Sequence, residues 1–140
     1  MQQDITWDQL QIGMKVGAVE ARVTEDVARR FMDTVGSSAS TYLTRQADGS
    51  RVAPMTIVEN LSLIIFQNRY RLRTPHGGLQ SGEESEYLNP PLVDTTVRVE
   101  GTIAEKYEKR GNFYYTLETV ATDDRGRTLA RIRQTTALLP

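Results

Sequence analysis

Few side chains in this sequence could do acid–base or nucleophilic chemistry near neutral pH. The chain has no cysteine and a single histidine, His76. That removes thiol nucleophiles, disulfides, thiolate ligands and multi-histidine metal centres from consideration. Histidine is the side-chain type suited to proton transfer near neutral pH, but His76 stands in the turn-like stretch TPHGG, where a solvated loop histidine is the plain reading. Glu59 follows Thr56 by three residues. At that spacing a threonine hydroxyl and a glutamate carboxylate can each satisfy a free backbone N–H at a helix start. Burial would instead raise the carboxyl pKa and make Glu59 a base. The segment GSSASTY, Gly36 to Tyr42, is built of small residues and ends in a phenol. A phenol is not by type a general base near neutral pH. No carboxylate cluster has ligand spacing, so neither a metal nor a cofactor is expected.

The elements that must position these residues follow from periodicity. Met14 to Val23 alternates in part and predicts a strand. Thr24 then serves as N-cap, with Glu25 and Asp26 in the first turn of a helix whose apolar face carries Val27, Phe31 and Val35. Gly36 ends that helix. The spacing of Ile57, Val58, Leu61, Ile64 and Ile65 predicts a second, longer helix from near Thr56 to near Tyr70. Leu63 and Phe66 widen its stripe, as expected of a helix buried on more than one side. After TPHGG the chain reads as strands. GEESEYL is stopped by Asn89-Pro90-Pro91, and three alternating runs follow, separated by turns at KRGN and DDRG. The last three strands should form an antiparallel meander. One antiparallel sheet around one long apolar helix is an α+β domain, here spanning 1–140.

Composition sets the outer limits. The net charge of −1, from 17 basic and 18 acidic residues, creates no field that would draw the chain to nucleic acid or an anionic membrane. The longest apolar stretch, Leu61 to Phe66, is too short to span a bilayer. The opening MQQDITWDQLQ is acidic and amphipathic, without the apolar core of a signal peptide. A cytoplasmic protein is expected.

Three stretches carry a resemblance. VAPMT (Val52 to Thr56) looks like the loop that opens the central helix of the MaoC-like hot-dog hydratases and dehydratases. LQSGEESEYLNPPLVDTT (Leu79 to Thr96) looks like that family's strand, proline and turn. The run from AEKYEKRGN to RIRQTT looks like its final hairpin. The sequence resembles in particular the subgroup like the dehydratase domain of fatty-acid synthase. The resemblance implies a hot-dog fold, a place in fatty acid or polyketide metabolism, and activity on acyl thioesters of coenzyme A or acyl carrier protein. Active members add or remove water across the 2,3 double bond with an Asp and a His in a loop of the form Gly-Asp-x-Asn-Pro-x-His. One group handles water and the other handles the proton at Cα, so both must reach the same carbon pair. A backbone N–H at the start of the central helix, here near Met55 and Thr56, polarises the thioester carbonyl.

Matched to that loop, Gly36 stands at the Gly, Ser37 at the Asp position and Tyr42 at the His position. The acid–base pair is therefore replaced. In the subgroup, a tyrosine at the His position is common in a copy that shapes the acyl tunnel while its partner does the chemistry. The resemblance thus implies a homodimer, or a heterodimer with a catalytic homologue. Three functions follow: an atypical or non-catalytic hydratase subunit, a different hot-dog enzyme such as a thioesterase using Glu59, Tyr42 or His76, or a binding module for acyl thioesters. Arg69, Arg71 and Arg73 are either a solvated strand edge or a site for coenzyme A phosphates or an acidic carrier. Glu83, Glu84, Glu86 and Asp94 read as exposed.

Overall fold

The computed structural model describes residues 2–34, 42–43 and 45–139. In chain order the elements are β1 (Gln3–Ile5), a short 3-10 turn (Trp7–Gln9), β2 (Lys15–Val23), α1 (Glu25–Thr34), α2 (Thr56–Arg69), β3 (Tyr70–Leu72), β4 (Gly78–Tyr87), β5 (Thr95–Lys109), β6 (Asn112–Asp123) and β7 (Thr128–Leu138). Five strands form one sheet in the order β2-β5-β6-β7-β4, with every neighbouring pair antiparallel. The expected meander is β5-β6-β7. This is the α+β hot-dog arrangement. A separate parallel pair, β1 with β3, adds two short strands that the pattern did not predict.

Period-2 alternation builds the inner face. Val97, Val99 and Ile103 of β5 are fully buried, as are Ala121 of β6 and Ile132 of β7. Against them lie Ile57, Val58, Leu61, Ile65 and Phe66 of α2, in one core cluster. Each fully buried aliphatic side chain of this size stabilises the fold by about 1.5–3 kcal/mol. Two buried hydroxyls in this interface satisfy each other, as Thr119 Oγ1 donates to Ser62 Oγ at 3.0 Å. At the KRGN turn, Arg110 and Gly111 both take positive φ, 52° and 80°. A two-residue turn with both central residues in that region matches the right-handed twist of its strands.

Helix α1 begins as its sequence predicts. Val27 N–H donates to Thr24 Oγ1 at 3.1 Å, and Glu25 and Asp26 occupy the first turn. Val35 and Gly36, expected to complete and end it, lie outside the described residues. Helix α2 departs from expectation twice. Its N-cap is Met55, with helical φ and ψ of −63° and −21° and no side-chain cap bond. The Thr56–Glu59 capping box therefore does not form. A reciprocal box needs an extended cap residue whose side chain points back at the third turn residue; here the turn is already wound one residue earlier. The second departure is Leu63, which is exposed rather than buried. It faces away from the core, toward β4.

Candidate functional site

The chain leading into α2 is clamped on both sides. Val52 bridges Tyr42 in parallel and Leu92 in antiparallel register. Leu43 N–H donates to Val52 O at 2.9 Å, and Ala53 N–H to Pro91 O at 2.8 Å. Arg51 pairs with Glu25 at 3.3 Å and Asp94 at 3.7 Å, which ties α1 and the β4–β5 connection to the same segment. Half-buried Tyr42 is thereby brought next to the strand-like stretch that delivers Met55 and Thr56. Ser37 lies outside the described residues.

The first intrahelical donors of α2 are Ile57 N–H to Pro54 O at 3.3 Å and Val58 N–H to Met55 O at 2.9 Å. The amides of Met55 and Thr56 precede them, at the end of a helix where N–H groups lack intrahelical partners and the dipole is positive. Such an end favours an oxygen that gains negative charge. Thr56 Oγ1 is buried with no hydrogen-bond partner among the described residues. An unpaired buried hydroxyl costs about 1–3 kcal/mol, so the turn holds a polar group that a bound molecule could satisfy.

Glu59, one turn further on, receives a hydrogen bond from the Tyr87 hydroxyl of β4. Bonding to the carboxylate, reinforced by partial burial, raises the Tyr87 pKa above its ordinary value near 10.0, so the phenol stays protonated and donates. The pair borders a cleft of about 470 Å³ between α2 and the sheet, lined also by Leu63, Glu83, Ser85 and Gln134. A second cleft, about 420 Å³, shares Leu63 and Gln134 with it and continues along α2 over Phe66, Tyr70 and Tyr115. The Phe66 ring lies 5.5 Å from Tyr70 and 5.4 Å from Tyr115, giving that cleft an aromatic floor. Burial pushes the Tyr115 phenol up.

The remaining predicted residues do not join this group. His76 is exposed in the connection between β3 and β4. The three arginines sit at the C-terminal end of α2 and beyond, and the 14 residues of the helix put about 20 Å between them and Met55. Arg71 and Arg73 share one carboxylate, Asp4, at 3.8 and 3.6 Å. Arg69 lies 5.4 Å from the centre of the Tyr70 ring. Of the three, Arg71 borders the second cleft. Tyr87 is the functional candidate that sequence reasoning missed. Its strand was legible, but its face toward α2 depends on the β4–β7 register, in which Tyr87 opposes Ala130. Among the described residues no group of His, Asp and Glu is placed to hold a metal ion, and no helix is long and apolar enough to cross a membrane.

A five-stranded antiparallel sheet wrapped on a central helix defines a hot-dog domain. The family model for the FAS1-like dehydratase domain region matches residues 10–132. The chain therefore belongs to that family of hot-dog hydratases and dehydratases. No curated protein matches the sequence significantly. Among solved structures, the chain is similar to the monoamine oxidase regulatory protein from Archaeoglobus fulgius, at TM-score 0.81 and 16% identity, covering 100% of this chain and 99% of that one. It is also similar to the R-hydratase PhaJ1 of Pseudomonas aeruginosa, at TM-score 0.75 and 16% identity over 96% of this chain and 84% of that one. The HadBC (3R-hydroxyacyl-ACP dehydratase) complex of Mycobacterium tuberculosis matches at TM-score 0.66 and 18% identity, over 90% and 96% of the two chains. At these identities the likeness to solved structures is one of fold.

Proposed function

We propose that this chain is an acyl-thioester protein of the (3R)-enoyl hydratase type that shapes the acyl site without supplying its acid–base pair. The observation that carries this reading is the loop Gly36 to Tyr42, where Ser37 and Tyr42 stand at the positions matched to the catalytic Asp and His. Neither a serine hydroxyl nor an ordinary phenol is a base near neutral pH. The rest of the apparatus supports binding: an open helix N-terminus at Met55 and Thr56, an unpaired Thr56 hydroxyl, and an aromatic-floored cleft alongside α2. The thioester carrier is coenzyme A or acyl carrier protein, and the expected setting is cytoplasmic. Heteromeric relatives such as the HadBC complex support a role as one subunit of two.

The test is hydration of a crotonyl thioester by the purified chain. We expect turnover at the background rate, since general acid–base groups contribute about 10²–10⁴-fold. The double change Ser37→Asp with Tyr42→His should raise it measurably, and each single change less, because the two groups act as a unit. Native turnover within about tenfold of an intact-loop homologue, lost in Tyr42→Phe, would overturn the reading.

A second reading, a thioesterase-like enzyme on the same fold, is favoured by one observation. Glu59 is half-buried on the central helix, oriented by Tyr87 and facing a cleft. It requires thioester hydrolysis that disappears in Glu59→Gln and weakens in Tyr87→Phe.

A further inference from the structure

We infer that the acyl cleft takes a chain carrying an uncharged oxygen, a hydroxyl or ketone, at mid-length, and that the Gln134 amide reads it. Period-2 alternation places Ile132, Gln134 and Leu138 of β7 on the inner face of the sheet, where Ile132 and Leu138 are buried apolar residues. Gln134 breaks that apolar row and is itself only 9% exposed. It lines both clefts beside α2. Its cross-strand neighbours give it no partner. On β6 it stands opposite Leu117, which is buried and apolar. On β4 it stands opposite Glu83, whose carboxylate already accepts from Ser85 Oγ at 2.9 Å and Gln80 Nε2 at 3.1 Å. Among the described residues none hydrogen-bonds the Gln134 side-chain amide.

A buried amide without a protein partner is satisfied by whatever fills the cleft beside it. The amide offers an acceptor oxygen and a donor NH2 group, so it pairs with a hydroxyl or a ketone and not with a methylene. The helix sets where along the chain that oxygen lies. Leu63, which lines both clefts with Gln134, stands seven residues after Thr56. That spacing is about 10 Å along the helix axis. An extended chain advances about 1.2 Å per bond. With the thioester carbonyl at Met55 and Thr56, the amide therefore meets the chain about eight bonds further on. The neighbouring charges require the oxygen to be neutral. Glu59 and Glu83 line the same cleft as Gln134, so a carboxylate on the chain would meet like charge at short range. Arg71, which borders the second cleft, has Asp4 as its counter-ion at 3.8 Å.

This deepens the proposed reading and rests on its placing of the thioester at the start of α2. Titration calorimetry on the purified chain separates the two. The probes are octanoyl-, 8-hydroxyoctanoyl- and 7-carboxyheptanoyl-coenzyme A. The hydroxylated chain should bind at least about tenfold tighter than the plain one, and the carboxylated chain should bind weakest. In Gln134→Leu that preference should vanish, with octanoyl bound more tightly and hydroxyoctanoyl less. Gln134→Met, of nearly the same length, should repeat the result, and circular dichroism with the thermal midpoint checks that each variant folds. Equal binding of the plain and hydroxylated chains by the native protein would overturn the inference, with water as the partner of Gln134, and leave the proposed reading standing. A preference that persists in a folded variant overturns it as well. So does a carboxylated chain bound as tightly as the hydroxylated one. Binding of none of the three overturns the inference and the proposed reading together.

Discussion

At the residue scale, Glu59 shows how a local signal is outcompeted. The Thr56–Glu59 spacing is that of a capping box, and nothing nearby in sequence argues against one. The carboxylate instead receives the hydroxyl of Tyr87, 28 residues away, while Met55 winds into the helix early. Local spacing could not reveal this, because the competing donor arrives through the β4–β7 register. Asp123 is the opposite case, a turn residue whose role is local and legible in DDRG. Its carboxylate is buried, which alone would raise its pKa. The N–H groups of Arg127 and Arg125, at 2.9 and 3.0 Å, and the Arg127 guanidinium, at 2.9 Å, outweigh burial and hold it below the usual value of 3.8. A depressed folded pKa contributes stability that is present above 3.8 and is lost as pH falls through the folded value. Asp123→Asn should therefore lower stability by roughly 1–3 kcal/mol at neutral pH. Urea unfolding across acidic pH should show the gap to wild type narrowing below 3.8; a gap independent of pH would mean that the charge plays no part.

At the element scale, the contact of α2 with the sheet turns on one missing side chain. Gly101 lies on the inner face of β5 between Val99 and Ile103, all three buried. A Cβ there would come within 2.6 Å of Val16 Cγ2, 3.3 Å of Leu117 Cδ1 and 3.4 Å of Ile65 Cδ1. The glycine lets β2 and α2 close on the sheet at that point. Gly101→Val should destabilise by about 1–3 kcal/mol through overpacking. Urea titration should show the midpoint falling with an unchanged slope; a midpoint equal to wild type would mean the core yields there at no cost. The strands and α2 were legible because their periods are long enough to be distinctive. The parallel β1–β3 pair was not, since three-residue strands carry no period and their partners are 67 positions apart, as in Gln3 with Tyr70. The exposure of Leu63 was hidden for a related reason. An apolar residue on a helix can serve the chain's own core or a surface that another molecule covers, and periodicity does not distinguish them.

At the scale of the whole molecule, the sheet has two ends, and they are built differently. β2 carries a register break between Lys15 and Gly17, with Gly17 at φ 108°. It also holds ion pairs, Arg98 of β5 with Glu20 at 3.1 Å and Arg22 with Asp124 of the β6–β7 turn at 3.5 Å. A bulge twists an edge away from a regular partner. β4 has its break near one end and leaves Glu83 to Tyr87 in unbroken register beside exposed apolar side chains. The fold class and family resemblance were legible in three stretches of sequence. Which strands end the sheet was not, because that depends on strand order rather than on any one strand. Hydrogen exchange can read the difference directly. In the isolated chain, amides of β5 and β6, enclosed on both sides by strands, should exchange slowest, because their opening requires disruption of the core. Amides of β4 should exchange fastest among the long strands. Amides of β4 as slow as those of β5 and β6 would mean that its outer edge is covered in solution.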